Sequence, residues 1–374
     1  MKYIFKGLTI LLLTLLFSCK KHQENFAVQT INIMETSESS PLSSSFVRLE
    51  IPNNIKIGDV DQIEHDNRYI YLLQDETLYR GLFVFDTNGK YIAKIGNFGR
   101  GMGEYQQPSA FTLTDNYILI LDTSNNYVLK YRRDDFSFIG KTKTFNTSYF
   151  EQLDDNLFLF VHRNYEPGQP YYNKEYVLTD SLFHIQSAEI EKIICSPYVT
   201  GPGHPIYKFD HEVRTYMQNS PYIYGFTASG NRPVYKVGFD TYNLPPVEFM
   251  QQISANGRDY YKDLTDSKYI SFYNFYETSD QIQISFFANH KKKIGFYSKA
   301  KAQGFFVPKE TWQQAYPFSD WITVGTLDDC FVSLLVAEDL RERAQEIAIP
   351  ADLKNVLSKC TDNDLILWKF KLAE

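Results

Sequence analysis

Along most of the chain, short runs of alternating or continuous apolar residues are cut by polar turns rich in Asp, Asn and Gly. "DNRYIYLLQD", Asp66 to Asp75, opens the pattern: Tyr69, Tyr71 and Leu73 alternate with Ile70 and Leu72, so the run predicts a strand buried on both faces. "GLFVFDTNGKYIAKIG", Gly81 to Gly96, follows as a hairpin, because Asn88-Gly89 supplies the positive φ angles of a tight turn. The theme returns five times: "DNYILILDTSNNYVLKY" from Asp115, "DDNLFLFVHRN" from Asp154, "NSPYIYGFTASGNRPVYKVGF" from Asn219, "SDQIQISFFANHKKKIGFYSK" from Ser279, and "DDCFVSLLVA" from Asp328 with "NDLILWKFKLAE" to the C-terminus. Six copies at roughly 40 to 65 residues predict an all-β fold, a six-bladed β-propeller.

The last copy lacks one strand. "SFVRLEI", Ser45 to Ile51, stands before the first copy and is expected to supply it, closing the ring and hiding its edges. The alternative architecture is an irregular β-sandwich or two smaller sheets. The one helical pattern is an insertion in the last blade, "EDLRERAQEIAIPADLKNVLSKC", with Leu340, Ala344 and Ile347 at helical spacing.

The N-terminus changes the picture. Lys2 and Lys6 precede an apolar run, Leu8 to Phe17, too short to span a bilayer comfortably. "LFSC", Leu16 to Cys19, resembles a lipobox, which implies a signal peptide over residues 1–18 and acylation of Cys19. Residues 19–45 then read as a lipidated Cys and polar tether, although Ile31-Asn32-Ile33 has the makings of a short strand, and residues 46–374 read as one propeller domain. Lys20 and Lys21 follow the Cys, so neither an inner-membrane retention Asp nor an acidic surface-export run is present. The periplasmic face of an outer membrane is the first expectation and the cell surface the second.

Composition agrees with strands: 28 Tyr and 29 Phe suit pleated surfaces. The formal charge of −7, more negative once Lys2 and Lys6 leave with the signal, argues against nucleic acid as a partner. Lys291-Lys292-Lys293, the one dense basic run, reads as a solvated hairpin tip. Beyond Cys19, only Cys195, Cys330 and Cys360 remain; Cys330 and Cys360 flank the last strands as a possible disulfide pair. With no C-x-x-C and no H-E-x-x-H, no metal site or cofactor is expected. Asp86-Thr87-Asn88-Gly89 begins like a calcium loop but lacks the downstream Glu.

"GNFGRGMGEYQQPSAF", Gly96 to Phe111, tests a nucleotide-loop reading and fails it. Gly99, Gly101 and Gly103 give G-x-G-x-G, and a Pro and then a strand follow where a phosphate site needs a helix N-terminus. The same residues suit a corner between blades, with glycines allowing sharp angles and Pro108 setting φ for the next strand. There Arg100, Glu104, Tyr105 and Gln107 are expected near one mouth of the channel, with Glu104 and Tyr105 tethering the corner. His162, Arg163, His204 and Arg214 are candidates for the same face, the last two within "SPYVTGPGHPIYKFDHEVRTYMQ", Ser196 to Gln218, read as a non-repeating insertion.

Three segments carry a family resemblance: "VFDTNGKYIAKIGNFGRGMGEYQQPSAF", "YGFTASGNRPVYKVGFD" and the closing "DNDLILWKFKL". With the lipobox, they make the chain similar to the six-bladed β-propeller lipoproteins of Bacteroidetes, distant relatives of NHL-repeat propellers. Many of those have Gly-Pro-Gly-Glu where Gly101-Met102-Gly103-Glu104 stands here. The resemblance implies the fold and an envelope location and brings no agreed activity. No G-x-S-x-G elbow or Ser-x-Asp-x-Gly-x-x-Trp box occurs. A binding or scaffold module for a peptide, glycan or partner protein therefore leads. An envelope lyase or hydrolase with its site at the channel mouth is the alternative, and a purely structural component is the third reading.

Overall fold

The computed structural model describes residues 27–75, 79–162, 166–196, 203–319 and 322–373. The signal peptide, Cys19 and Arg163 lie outside these residues. Two strands come first, β1 (Gln29–Glu35) and β2 (Leu42–Leu49). Blade I is β3 (Gln62–His65), β4 (Tyr69–Gln74), β5 (Gly81–Asp86) and β6 (Tyr91–Ile95). A two-stranded corner, β7 (Asn97–Phe98) with β8 (Glu104–Tyr105), leads to blade II: β9 (Pro108–Leu113), β10 (Tyr117–Asp122), β11 (Tyr127–Arg132) and β12 (Phe138–Lys143). Blade III is β13 (Tyr149–Asp154), β14 (Leu157–Val161), β15 (Lys174–Asp180) and β16 (Ile185–Glu191). Blade IV is β17 (Ile206–Phe209), β18 (Glu212–Tyr216), β19 (Tyr222–Thr227) and β20 (Gly230–Gly238).

Helices α1 (Val247–Ala255) and α2 (Tyr260–Thr265) precede blade V: β21 (Phe272–Glu277), β22 (Gln281–Ala288), β23 (Lys291–Ser298) and β24 (Gln303–Pro308). After α3 (Lys309–Ala315), blade VI takes β25 (Gly325–Leu327), β26 (Cys330–Val336) and β27 (Leu365–Leu372), with α4 (Ala337–Arg343) and α5 (Ala351–Leu357) inserted between its last two strands. β2 completes it, running antiparallel to β27 from Leu42↔Leu372 to Leu49↔Leu365. The expected closure is therefore the observed one.

Six hydrophobic clusters fill the six seams between neighbouring blades. Alternation explains how one strand serves two seams. Ile70 and Leu72 pack toward blade VI, while Tyr71 and Leu73 pack toward blade II. Each fully buried Leu, Ile or Phe contributes about 1.5–3 kcal/mol, so a single blade gains little until both neighbours are present. Gly89 joins the closure directly. Its φ is +88°, and a Cβ there would meet the Arg48 carbonyl oxygen at 1.9 Å, while its own carbonyl accepts from the Glu50 amide at 2.8 Å.

The structure departs from the sequence reading in several places. Of the tether, Gln29–Glu35 and Leu42 onward are strands. β1 runs parallel to both β20 and β24, joining the outer edges of blades IV and V with Ile31 and Ile33 fully buried. Two buried isoleucines and two waiting strand edges outweigh the polar neighbours. Half of the 196–218 insertion is the first hairpin of blade IV. Helices α1, α2 and α3 were not foreseen; α1 and α2 bury Met250, Ile253, Tyr260 and Leu264 against each other. Lys293 is no tip residue but is buried over the Tyr242 ring at 4.6 Å. Cys195, Cys330 and Cys360 are free thiols.

Candidate functional site

Antiparallel order gives each blade two ends. Blade-to-blade crossings and second-to-third turns share one face, here the corner face; first-to-second and third-to-fourth turns share the other, here the turn face. The first strands ring the central axis. Their third residues in blades I, III, IV and V are Glu64, Glu151, Lys208 and Asn274, each polar and directly following an Ile, Phe or Tyr.

Three of these charges meet. Lys208 Nζ reaches Glu151 at 3.0 Å and donates to the Leu113 carbonyl at 2.9 Å and to Thr112 Oγ1 at 3.3 Å, tying blade IV to blades III and II. Glu151, almost wholly buried, also accepts from its neighbour's amide, that of Gln152, at 2.8 Å and from the Thr112 hydroxyl. Gln62 staples blades I and II: its Nε2 donates to the Phe111 carbonyl at 2.8 Å, and its Oε1 accepts from the Phe111 amide at 2.9 Å. Glu64 lies beside this group. Burial first, and then the Glu151 charge, push its carboxyl up to about 7, with Lys208 and Gln62 opposing. Glu64 accepts from Gln62 Nε2 at 3.4 Å, so each charge in this cluster has an internal partner, while Glu64 and Lys208 stay partly open to solvent.

A cleft of about 450 Å³ opens between blades II and III on the turn face. Asp115 and Asn116 from one blade and Gln152 and Asp155 from the other line it, together with Phe158 and Leu182. The Tyr117 ring carries Lys130 Nζ at 3.6 Å from its centroid. Leu182 is 59% exposed, presented by a hairpin in which Asp180 accepts from the Leu182 and His184 amides at 2.9 Å each. Mixed walls of carboxylate, amide, hydroxyl and ring at this volume have the makeup of a small-ligand site.

The residues singled out in the sequence do not share one pocket. Arg100 and Glu104 do stand together, lining a notch of about 120 Å³ with Asp122, Asn125, Tyr127 and Lys141 on the flank of blade II rather than at the channel. Glu104 Oε2 accepts from the Gly101 amide at 2.7 Å. Tyr105 is fully buried, its hydroxyl donating to the Ile95 carbonyl at 2.8 Å, which fits the corner tether expected of it. Gln107 joins a polar group on the corner face, donating to Asp75 at 3.3 Å and accepting from Ser124 at 3.2 Å.

His162 is wholly buried in blade III, its Nδ1 3.3 Å from Lys192 Nζ and 3.4 Å from the Lys174 carbonyl; burial and then the Lys192 charge push its pKa down to about 4. His204 lies edge-on to Tyr149, centroids 5.3 Å apart. Arg214 is buried near the turn face of blade IV, paired with Glu212 at 3.1 Å and set over Phe209 and Tyr235. It shares a face of its strand with Tyr216, on the blade V side, while Val213 packs toward blade III; that keeps it from the glycine corner. Glu64, Glu151 and Lys208 were not foreseen; the recurring polar third position of the first strands was the available signal.

A family model described as a 6-bladed beta-propeller matches residues 18–334. A crystal structure from Bacteroides fragilis NCTC 9343, named as a candidate exported protein, is 28% identical, with a TM-score of 0.87 over 92% of this chain and 100% of that one. "YCF48 bound to D1 peptide" (10% identity, TM-score 0.35, 73% of this chain and 71% of that) and a streptogramin B lyase (10%, 0.36, 69% and 85%) align far more loosely. No curated protein matches the chain. The chain belongs to the six-bladed β-propeller family whose model it matches.

Proposed function

We propose that this member of the six-bladed propeller family is an exported binding module, held to a Gram-negative envelope by a lipid on Cys19 and working through its turn face. The observation that carries the reading is the cleft of about 450 Å³ between blades II and III, whose walls offer hydrogen-bonding and apolar contacts side by side. The likeness to a candidate exported protein and the "LFSC" segment support an envelope location, the periplasmic side of the outer membrane first and the cell surface second. Its ligand is a peptide, a glycan or a surface of a partner protein.

The test has two arms. The full mature chain is screened on glycan and peptide arrays beside Tyr117→Ala and Leu182→Asp. Binding weakened by both variants supports the cleft; hits unaffected by either sink it. Separately, Cys19→Ala should move the protein out of the membrane fraction, and persistence there would refute the anchor.

One observation favours a second reading, an envelope lyase or hydrolase: Glu64, held near 7, lies beside Glu151 and Lys208 at the axis. Mass spectrometry of saccharide and peptide panels incubated with the protein decides it. New products that vanish in Glu64→Gln would select the enzyme.

A further inference from the structure

The glycine corner, once relieved of phosphate binding, still carries features a simple turn does not need. Phe98 is 59% exposed and Met102 88% exposed, and Arg100 stands between them in sequence. The corner is nevertheless firmly built. The Gly99 amide donates to the Tyr105 carbonyl at 3.0 Å, Tyr131 donates its hydroxyl to the Gly103 carbonyl at 2.8 Å, and β7 pairs with β8. Gly96 and Gly103 hold φ of +68° and +73°, angles that suit glycine. Two large apolar side chains are thus presented to water on a fixed frame, which lowers the ordering cost of a contact there.

Arg80 flanks the Phe98 ring, 6.0 Å from its centroid, and is held by Asp75 at 3.3 Å, whereas the charges lining the adjoining notch are lopsided in what they touch. Both acids of the adjoining notch are engaged by the fold. Glu104 accepts from the Gly101 amide at 2.7 Å; Asp122 accepts from the amides of Gln106 and Gln107 at 3.2 and 3.0 Å and from Asn125 at 2.8 Å. The two cations that line the notch are not so engaged, although Lys143, 4.7 Å over the same Tyr127 ring, donates to the Asn125 carbonyl at 2.7 Å. Among the described residues Arg100 makes no hydrogen bond or ion pair, and the Lys141 ammonium meets only the Tyr127 ring, at 4.8 Å. A notch of about 120 Å³ has room for a carboxylate group and little more. A doubly charged phosphate there would face the Glu104 and Asp122 carboxylates at close range, so a single carboxylate is the better fit.

We propose that this corner is a docking site for an acidic segment of a partner protein: an Asp or Glu side chain enters the notch between Arg100 and Lys141, and apolar residues beside it cover Phe98 and Met102. Arg–carboxylate pairing sets the position, and the flexible, polarizable Met102 adapts to the apolar neighbour. The site is separate from the cleft between blades II and III, so the failure of either leaves the other standing.

Methionine methyl NMR on the full mature chain tests it, because the sequence holds only five Met and Met102 is the most exposed of those described. The probes are N-acetyl-Leu-Asp-Leu-amide and its Asn counterpart. The Asp peptide should shift the Met102 signal saturably while the buried Met250 stays still, and should bind about fivefold to tenfold more tightly than the Asn peptide. Arg100→Ala combined with Lys141→Ala should erase that difference; both side chains are exposed, so the fold is retained. Raising salt should weaken the Asp peptide alone. No saturable shift, equal binding of the two peptides, or a difference that survives the double variant would each overturn the proposal.

Discussion

The axis cluster and the glycine corner use similar side chains in opposite ways. At the axis, Lys208 is engaged by Glu151, Thr112 and the Leu113 carbonyl, and the group as a whole holds four blades in register. At the corner, Glu104 and Asp122 serve backbone amides while Arg100 and Lys141 face outward. Charges of both signs therefore do not by themselves mark a working site. What matters is which sign the fold leaves without an internal partner.

That contrast can be broken by substitution. Lys208→Ala should have the largest effect, about 2–3 kcal/mol in urea unfolding, because it leaves Glu151 buried beside Glu64 without its cation; the partial exposure of Lys208 keeps the loss below that of a fully buried pair. Asp122→Ala should cost about 2 kcal/mol by the same measurement, since the Gln106 and Gln107 amides lose their acceptor. Gly99→Ala should cost about 1 kcal/mol. The new Cβ would stand 2.0 Å from Glu104 Oε2, so the carboxylate must swing away from the Gly101 amide.

Glu64→Gln tests the axis through pH. The folded-state pKa of Glu64, about 7, lies above the ordinary 4.5, so the fold favours the protonated form. Its stabilising contribution is intact below about 4.5 and is lost as pH rises through 7. Glu64→Gln should therefore raise the melting temperature at pH 8 and leave it little changed at pH 4.5; an unchanged difference across that range would refute the placement. Arg100→Ala closes the series with an effect within about 0.5 kcal/mol on unfolding, and a larger loss would show that the corner cation is structural after all.

Legibility followed range along the chain. Blade II is readable from "DNYILILDTSNNYVLKY" because local alternation and an Asp-rich turn suffice. Glu104 and Tyr105 were readable as tethers for the same reason: their partners, the Gly101 amide and the Ile95 carbonyl, lie within ten residues. Glu151 and Lys208 were not, because they lie 57 positions apart and meet only when blades III and IV stand side by side. Arg214 read as a candidate for the ligand face within an insertion, yet the hairpin it belongs to buries it against Phe209 and Tyr235.

The sequence by itself determined the blades: the twofold apolar period, the Asn-Gly turn, the glycine corner and a closing strand at the N-terminus are all local signals that bury or bend the chain in one way. Tertiary structure decided what those signals leave open. Ile31 and Ile33 predict at most a strand; only the paired outer edges of blades IV and V determine that β1 lies between them. Likewise each acid and cation is ambiguous until its neighbours arrive, because an ion's state depends on groups within a few ångströms and not on its place in the chain.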